Sequence, residues 1–523
     1  MLVLEQAKAL LLKLDNPSRV MECIPTAKQV VLQGAPLLAV PHSADEVRVL
    51  RNLGIKAPAP ILHYYDYPGV FPPFHHQRMT AAFLTMNKKA LVLNEIGTGK
   101  TNAALWAADY LISIGLVKKV LIVSPLSTLE RVWGDAIFKG FPNRKGVVLY
   151  GTAKRRLQLL GTKADFYVIN HDGFGIISDQ CTGMFDLVIA DEAAILRNPS
   201  TRRFKIMRKW MNDPANSETR LWLMTGTPTP NNPTDAWALA QLVNNPYVAR
   251  TFSAFREQTM QRFGQYTYVP RPGSQHTVKH VLQPSVRYTR DECFDLPDTI
   301  TQTREVPLSA QQRTVYDKML KHFIVEAAAE KLVGGTITAV NEAIKVQKLV
   351  QIACGVAYDD YGNDVEIDCS PRVNATIEII EEVGGKVIVF VPLTGTLHML
   401  ERKLKEHWSV GVVNGAVPMA KRNIIFQNFQ ESPEPRIILA HPACMAHGLT
   451  LTAASTIIWY GPINSNEQYV QANGRIERVG KKHTSNIIHI EATAVERKMY
   501  QRLASRQRLQ GLLLELIQEE TER

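Results

Sequence analysis

The chain has 523 residues, 45% of them hydrophobic, and a formal net charge of +11. This length exceeds what one hydrophobic core organises, so about two or three domains are expected. The positive balance permits a polyanionic partner and slightly favours nucleic acid, although a solvated surface alone would also produce it. The six cysteines form no CxxC pair and lie near no histidine at finger spacing, so neither a zinc site nor a disulfide framework is expected. No apolar run approaches the length of a membrane span, so we expect no membrane partner and a soluble, cytoplasmic protein.

Residues 1–70 are expected to form a small accessory module. An amphipathic helix is predicted within Met1–Leu14, and short strands are predicted at Gln29–Gln33 and Pro36–Val40. A second helix is predicted over Ser43–Leu53, before prolines interrupt the pattern. Two roles remain open for this module, a packing cap on the next domain and a DNA-binding element.

A buried strand, a glycine-rich turn and a helix start follow one another within Leu91–Thr101. The turn Gly97-Thr98-Gly99 permits a tight loop whose amides cradle the β- and γ-phosphates of a nucleotide. Lys100 is expected to neutralise those phosphates, and the Thr101 hydroxyl to ligate Mg²⁺. Asn94 stands where the usual pattern begins with glycine, and a simple glycine turn is the alternative interpretation.

A glutamine precedes this loop at the head of a helix that is predicted to run toward Met86. Gln77 presents an amide that can both donate to and accept from the edge of an adenine ring. Its position just before the phosphate loop favours a nucleotide contact over an ordinary helix residue. We therefore assign Gln77 to nucleotide binding.

Two further apolar strands end in polar residues. Leu187–Ala190 delivers Asp191 and Glu192 at its carboxyl end, where a parallel sheet places its chemistry. Asp191 is expected to hold Mg²⁺ through its water shell, and Glu192 to orient and deprotonate the attacking water. A strand that simply ends in acidic turn residues is the alternative. The next strand, Leu221–Met224, ends in Thr225-Gly226-Thr227, small hydroxyl residues that are expected to sense the γ-phosphate and couple it to movement.

From residue 372 onward, helix and strand patterns alternate at lengths typical of a second parallel sheet with helices on both faces. This part contains no Gly-Lys-Thr sequence, so we expect it to act through the ends of its strands. Gly448, in the loop His447–Thr452, is assigned to nucleotide binding, and Gln471 to coupling. Arg475 and Arg478 are predicted to share one helical face and to clamp the γ-phosphate. An ordinary pair of surface arginines is the alternative.

The ordered motifs resemble those of superfamily-two helicases, specifically the Swi/Snf-type DNA translocases. The matching runs are Lys100-Thr101, Asp191-Glu192-Ala193-Ala194, Leu196-Arg-Asn-Pro199, Thr225-Gly-Thr-Pro-Thr-Pro-Asn-Asn232 and Gln471-Ala-Asn-Gly-Arg-Ile-Glu-Arg-Val-Gly480. Two positions depart from the family pattern, since Ala194 and Glu477 stand where histidine is usual. The resemblance extends from about Gln77 to Ile490 and is typical of a compact single-chain form, with a bacterial or phage source left open.

The resemblance implies an α/β fold of two RecA-like parallel-sheet lobes with helical insertions. It places the accessory module at 1–70, lobe 1 with a helical protrusion at 71–295, crossover helices and lobe 2 at 296–497, and a brace helix at 498–523. Basic residues in 252–350 then either contact phosphate backbones or decorate a solvated surface. Tyr358–Asp368 is predicted to be a loop.

In function, the resemblance implies an ATP hydrolase that uses Mg²⁺ and moves along duplex DNA with little sequence preference. A strand-separating DNA or RNA helicase, the motor subunit of a restriction or repair complex, and a non-motor scaffold remain alternatives. Replication, repair or recombination proteins are candidate partners. The expected location is the cytoplasm, with nucleoid association if the source is bacterial or phage.

Overall fold

The computed structural model describes the chain apart from residues 33, 70–71, 230–231, 244, 264–266, 295–298, 333–338, 359–362, 446–450, 477–483 and 506–523. The chain divides into two units, Met1–Cys293 and Phe294–Arg523. Among the described residues, none of the helices combines the length and apolarity that crossing a bilayer requires.

The first unit begins with a four-stranded antiparallel sheet and three short helices. The strands are β1 (Leu2–Leu4), β2 (Ala9–Leu12), β3 (Lys28–Leu32) and β4 (Ala35–Pro41), in the order β1-β2-β4-β3. The helices are α1 (Ser18–Cys23), α2 (Ala44–Asn52) and α3 (Ile61–Tyr64).

The prediction of a helix within Met1–Leu14 is wrong, because this segment forms the β1–β2 hairpin. The chain reverses between Glu5 and Lys8, where the Lys8 amide donates to the Glu5 carbonyl oxygen at 3.2 Å and Lys8 has a φ of 46°. Three consecutive leucines, 10 to 12, are all buried. Consecutive burial suits a strand that is covered on both faces, whereas a surface helix buries residues three or four apart.

This N-terminal part packs onto the lobe that follows it. Leu10, Val40 and Val47 belong to the same apolar core as residues of the helices His75–Met86 and Lys100–Ser113. The Trp106 Nε1 donates to the Pro68 carbonyl oxygen at 2.9 Å, and the Tyr65 hydroxyl donates to Asp109 at 2.6 Å. The structure thus places the module as the packing-cap alternative requires.

A seven-stranded parallel sheet forms the centre of the first unit. The remaining strands of this unit are β5 (Lys89–Val92), β6 (Val120–Ser124), β7 (Gly146–Val148), β8 (Phe166–Asn170), β9 (Leu187–Ala190), β10 (Arg220–Met224), β11 (Met260–Phe263), β12 (Thr267–Pro270) and β13 (Ser285–Val286). The sheet order is β13-β5-β10-β9-β6-β8-β7, and β11 and β12 form a separate hairpin.

Further helices follow among the described residues of this unit, and most of them flank the sheet. They are α4 (His75–Met86), α5 (Lys100–Ser113), α6 (Asp135–Gly140), α7 (Ala153–Leu160), α8 (His171–Ile177), α9 (Arg202–Met211), α10 (Ala236–Leu242), α11 (Phe252–Thr259), α12 (Ser274–Val281) and α13 (Arg290–Cys293). Along β9, Leu187 and Ile189 enter one apolar core, while Val188 and Ala190 enter the other. This alternation explains why the strand is apolar at every position.

The stretch after residue 252 contains the strands β11 to β13 as well as the helices α11 to α13. Strand β13 joins the sheet beside β5, with Ser285 opposite Leu91. The Leu93 amide donates to the Val286 carbonyl oxygen at 2.8 Å, and the Glu95 amide donates to that of Tyr288 at 3.0 Å. A strand of two residues carries too little pattern to be predicted from sequence.

The second unit has its own six-stranded parallel sheet. The strands of this unit are β14 (Thr299–Glu305), β15 (Val356–Tyr358), β16 (Asp364–Glu366), β17 (Lys386–Phe390), β18 (Val410–Val413), β19 (Ile437–Ala440), β20 (Ala454–Trp459) and β21 (Ser485–Glu491), of which β15 and β16 pair with each other outside the six-stranded sheet. The sheet order is β14-β21-β20-β17-β19-β18. Its helices are α14 (Ala310–Leu332), α15 (Ala339–Ala353), α16 (Ser370–Val383), α17 (Thr394–Lys405), α18 (Met419–Glu431), α19 (Asn466–Asn473) and α20 (Ala494–Ala504).

The prediction of two α/β lobes built on parallel sheets is therefore confirmed. Within the second unit, part of the predicted loop Tyr358–Asp368 instead belongs to the antiparallel β15–β16 hairpin, in which Val356 lies opposite Glu366. The predicted brace helix begins in α20, and its continuation beyond residue 505 lies outside the described residues.

Candidate active site

The loop between β5 and α5 has the backbone that a phosphate cradle requires. Gly97 and Gly99 have φ values of 88° and 78°, in the left-handed region that favours glycine. Helix α5 begins directly afterwards at Lys100, so its N-terminus adjoins the loop, where a helix favours an anion. A Cβ atom at Gly99 would lie 2.1 Å from Nε2 of Gln77, so a side chain at this position would displace the Gln77 amide.

Two side chains of α4 hold this loop. Gln77 Nε2 donates to the Thr98 carbonyl oxygen at 3.2 Å, and its Oε1 accepts from the Phe74 amide at 3.1 Å. His76 Nε2 donates to the same Thr98 oxygen at 2.8 Å, and burial lowers the pKa of this imidazole. Gln77 thus lies against the phosphate loop, and its contact with an adenine stays a prediction. His76 received no role from the sequence, although it stands next to Gln77.

The lysine that ends the loop bends back over it. Lys100 Nζ donates to the carbonyl oxygens of Asn94 at 2.8 Å and Glu95 at 3.0 Å. The ammonium group is therefore fixed at the mouth of the loop, where phosphate oxygens of a nucleotide can replace these carbonyls as acceptors. Thr101 follows in the first turn of α5 and is half-buried.

The unusual Asn94 ties the loop to two other elements. Its Nδ2 donates to Oγ1 of Thr80 on α4 at 2.9 Å, and its Oδ1 accepts from the Tyr288 amide at 3.0 Å. Asn94 is 1% exposed, so these bonds replace the solvation that the amide loses on burial. Glycine, the usual residue here, has no side chain for either contact.

Asp191 lies directly after β9 with both carboxylate oxygens engaged. Its Oδ2 accepts from Trp133 Nε1 at 3.1 Å, and its Oδ1 accepts from the Glu192 amide at 3.0 Å. Burial, together with the nearby Glu192 carboxylate, raises the pKa of Asp191 to about 6, while Lys100 and the two hydrogen bonds act in the opposite direction. A bound cation at this carboxylate would favour the ionised form for the same reason that Lys100 does.

Glu192 has a φ of 47°, which is uncommon for a residue with a Cβ atom. It directly precedes a one-turn 3₁₀ helix, Ala193–Leu196. The neighbouring Asp191 carbonyl oxygen accepts from His171 Nε2 at 2.9 Å, which helps to fix this bend. Backbone strain of this kind persists where the surroundings hold it in place, and it is frequent at active sites.

The hydroxyl-rich turn after β10 touches the phosphate loop. The Thr225 amide donates to the Val92 carbonyl oxygen of β5 at 2.9 Å. A Cβ atom at Gly226 would lie 3.4 Å from both the Asn94 carbonyl oxygen and the Ile96 nitrogen. The turn is closed by the Thr227 amide, which donates to Oγ1 of Thr225 at 3.1 Å. The turn and the phosphate loop are therefore in direct contact.

The predicted site residues of the first unit thus lie at one edge of one sheet. Strands β5, β10 and β9 are neighbours, and their carboxyl ends carry the phosphate loop, the Thr225–Thr227 turn and the Asp191–Glu192 pair. The described residues contain no group of three or more His, Cys, Asp or Glu side chains placed to hold a metal ion. Mg²⁺ in nucleotide sites is bound by one or two protein groups with phosphates and water, so Asp191 and Thr101 suit it.

The second unit carries the remaining predicted residues. Gln471 is 2% exposed within α19, and Arg475, also 2% exposed, lies beyond the helix end. The Arg475 carbonyl oxygen accepts from the Leu451 amide at 3.1 Å. Helix α19 ends at Asn473, and the Arg475 amide donates to the Ala472 carbonyl oxygen at 3.2 Å in the turn that follows. The face that Arg475 was predicted to share with Arg478 stays a prediction. Gly448 and Arg478 lie outside the described residues.

Comparison with known proteins gives matches over most of the chain. Residues 75–354 match the SNF2-related domain, and residues 371–480 match the helicase conserved C-terminal domain. Protein p41 of Acyrthosiphon pisum secondary endosymbiont phage 1 is 29% identical over 472 residues, which are 85% of this chain and 98% of that protein.

Two more distant matches come from a eukaryote and an archaeon. The SWI/SNF chromatin-remodeling complex subunit snf22 of Schizosaccharomyces pombe is 23% identical over 464 residues, which are 82% of this chain but 27% of the subunit. The Sulfolobus solfataricus SWI2/SNF2 ATPase core in complex with dsDNA aligns with 84% of this chain and 92% of that core. Its TM-score is 0.39 and its sequence identity 20%.

Proposed function

The chain belongs to the SNF2-related family of ATPases, and from this premise we propose that it uses ATP hydrolysis to move along duplex DNA. Movement without separation of the two strands is the specific activity proposed. The duplex track, the Mg²⁺ ion and the role of each residue are parts of the same proposal.

One observation carries it: Lys100, the Asp191–Glu192 pair and the Thr225–Thr227 turn lie at the carboxyl ends of three adjacent strands. The turn that is expected to respond to the γ-phosphate packs against the loop that is expected to hold it. In a site of this kind, loss of the γ-phosphate can shift the neighbouring turn directly, because the turn contacts the loop.

Each residue has a distinct proposed task. Lys100 neutralises phosphate charge, and Thr101 with Asp191 holds Mg²⁺, which supplies further positive charge when bound. Glu192 accepts the proton of the attacking water. From the second unit, the family resemblance assigns Gly448 to nucleotide contact, and Arg475 and Arg478 to stabilising the charge of the transferred phosphate.

Duplex DNA is the proposed track because of the distribution of charge along the chain. The net charge of +11 and the arginines and lysines of 252–350 supply contacts to a phosphate backbone. Proteins that bind single strands usually interleave aromatic and basic residues to stack bases, and the sequence contains no such stripe. Binding should therefore weaken as salt rises and depend little on base sequence.

ATP turnover with and without duplex DNA tests the coupling first. Displacement of a third strand from a triplex then reports movement along a duplex, and unwinding of a forked duplex reports strand separation. We expect DNA-stimulated turnover and ATP-dependent triplex displacement, both absent in Lys100→Ala. Fork unwinding without triplex displacement would refute the translocase and favour a strand-separating helicase.

A further inference from the structure

A pocket outside the active site opens between α9, α10 and the start of α11. Its volume is about 460 Å³, within the range of ligand pockets. Three aromatic residues, Phe204, Trp237 and Phe252, form its floor, and three cations, Lys205, Arg208 and Lys209, form its rim. We call it the α9 pocket. None of the proposed nucleotide-site residues lines it.

The floor of the α9 pocket is apolar and needs no polar partner from a ligand. Phe204 and Trp237 are 2% and 4% exposed, and Trp237 meets Phe252 edge-on at 5.8 Å between ring centroids. The Trp237 Nε1 already donates to the Ala249 carbonyl oxygen at 2.8 Å. An apolar side chain is therefore the group that this hollow accepts at least cost.

The three rim cations repel one another along helix α9. This helix reads Arg-Arg-Phe-Lys-Ile-Met-Arg-Lys-Trp-Met and contains no carboxylate. Arg208 and Lys209 lie in the last turn, where cations suit the helix dipole, but Lys205 lies three and four positions before them and repels both. Each such contact costs a few tenths of a kcal/mol in an isolated helix. This charge pattern favours an anionic partner.

Carboxylates of the protein neutralise only part of this charge. Arg203 is paired with Asp172 at 2.6 Å, and Lys209 lies 4.0 Å from Asp179 on an exposed surface. In the part of the chain that the structure describes, no carboxylate lies within 4.0 Å of the Lys205 ammonium or the Arg208 guanidinium. Two cations at the mouth of an apolar hollow thus remain available to an acidic ligand.

Nucleic acid fits this combination less well than a peptide does. A rigid duplex presents phosphates and sugars, which leave a hollow of about 460 Å³ unfilled. The Arg208 guanidinium lies over the Trp237 ring at 5.9 Å, so a base would have to displace this cation to stack on the indole, whereas a carboxylate of a peptide can pair with it in place. We propose that the α9 pocket docks an acidic peptide segment of a partner protein, with one apolar anchor residue in the hollow and carboxylates on the rim.

The two helices that flank the α9 pocket both lead away from the site loops. Helix α9 follows the Asp191–Glu192 strand through the run Leu196–Pro199, and α10 follows the Thr225–Thr227 turn. A bound segment would contact both helices that lead away from the site loops. Occupancy of the pocket can be measured as peptide binding, without measuring ATP turnover.

Fluorescence anisotropy with short synthetic peptides tests this proposal. The probe is a labelled Asp/Glu-rich peptide with one central Phe, compared with the same peptide carrying Ala at that position and with a Lys-rich version. We expect the Phe peptide to bind best and the Lys-rich version not at all. Lys205→Glu should weaken binding of the Phe peptide by about five- to tenfold, since one attraction becomes a repulsion.

Arg202→Glu supplies the matched control, because Arg202 is exposed on the same helix but does not line the pocket. It makes the same charge change and should leave peptide affinity within about twofold. Equal weakening by both variants, or no binding of the Phe peptide by the wild-type protein, would overturn the proposal. A third result would also overturn it: Lys205→Glu weakens binding to duplex DNA, and the wild-type protein binds the Phe and Ala peptides equally.

Discussion

The indole Nε1 of Trp133 donates a hydrogen bond to Oδ2 of Asp191 across 3.1 Å. Trp133 is fully buried, and the other carboxylate oxygen accepts from the Glu192 amide at 3.0 Å. Two fixed donors therefore set the plane of the carboxylate that we propose to hold Mg²⁺. Such outer partners orient metal ligands and strengthen metal binding.

Trp133→Phe should weaken Mg²⁺ binding while retaining an aromatic ring in the core. The variant removes the donor to Asp191, and loss of an outer partner typically costs about ten- to hundredfold in metal affinity. The Mg²⁺ concentration for half-maximal ATP turnover should rise accordingly. Mg²⁺-dependent binding of a fluorescent ATP analogue should show the same shift.

Trp106→Phe is the control, because it removes an indole bond to the Pro68 carbonyl oxygen in the same unit but away from Asp191. It should leave the Mg²⁺ dependence unchanged. If the two variants showed the same Mg²⁺ dependence, Trp133 would contribute packing alone.

Gly99→Ala should damage nucleotide binding more than backbone strain explains. Its φ of 78° makes any side chain costly, by roughly 1–2 kcal/mol, and its Cβ atom would lie 2.1 Å from Gln77 Nε2. Displacement of Gln77 should lower ATP affinity and reduce the preference for ATP over GTP. Calorimetric titration with both nucleotides measures this.

Gly115→Ala provides the comparison, because Gly115 has a φ of 77° but a Cβ atom added there would meet no other group within 4 Å. It should lose similar stability to strain and keep its nucleotide affinity. If the two alanine variants had the same ATP affinity and the same nucleotide selectivity, Gln77 would not be a contact of the adenine.

The residues that the structure places at one edge of the first sheet share a local signal. Asp191 and Thr225 each follow a short apolar strand directly, Lys100 ends the glycine loop after a third such strand, and parallel strands bring their carboxyl ends to one edge. The two parallel sheets were predictable for the same reason, because buried strands are apolar at every position. Neighbouring residues along the chain carried this information.

The contacts that the sequence did not reveal join distant residues. Trp133 and Asp191 are 58 positions apart, and Asn94 and Tyr288 are 194 apart. No periodicity within a segment encodes such a pair. The N-terminal hairpin was missed for a different reason, because the leucines of Met1–Leu14 fit helical spacing until the turn before Ala9 is known.

Arg372→Met should strongly destabilise the second unit. Arg372 on α16 and Glu496 on α20 are 1% and 0% exposed, and Nη2 of Arg372 donates to both carboxylate oxygens of Glu496, at 2.7 and 2.8 Å. Burial alone would lower the pKa of Arg372, but the Glu496 carboxylate raises it above its usual value. Removing one partner leaves a buried charge, so the free energy of unfolding, measured with urea, should fall by about 3–5 kcal/mol.

The double variant Arg372→Met/Glu496→Leu should recover part of that loss, because no charge then remains buried. Arg304→Met is the control, because Arg304 and Glu382 form an exposed pair at 2.8 Å. Its loss should lower the free energy of unfolding by less than about 1 kcal/mol. A cost for Arg372→Met as small as that for Arg304→Met would show that the buried pair is not a major source of stability.

Lys100→Ala and Glu192→Gln should both stop ATP hydrolysis, but for different reasons. Lys100→Ala removes the ammonium that lies at the mouth of the phosphate loop, so ATP affinity and turnover should fall together. Glu192→Gln keeps the side-chain volume and the nucleotide contacts but removes the base that accepts a proton from water. Turnover should fall by about a hundred- to ten-thousandfold while ATP affinity is retained.

Because Glu192→Gln binds ATP without hydrolysing it, we expect this variant to hold the ATP-bound form on duplex DNA, whereas Lys100→Ala should respond weakly to ATP. Calorimetric ATP titration, single-turnover hydrolysis and DNA binding with and without ATP separate the two defects. Near-normal hydrolysis by a folded Glu192→Gln protein would remove Glu192 as the base. Its left-handed backbone would then reflect only the geometry of the turn after β9.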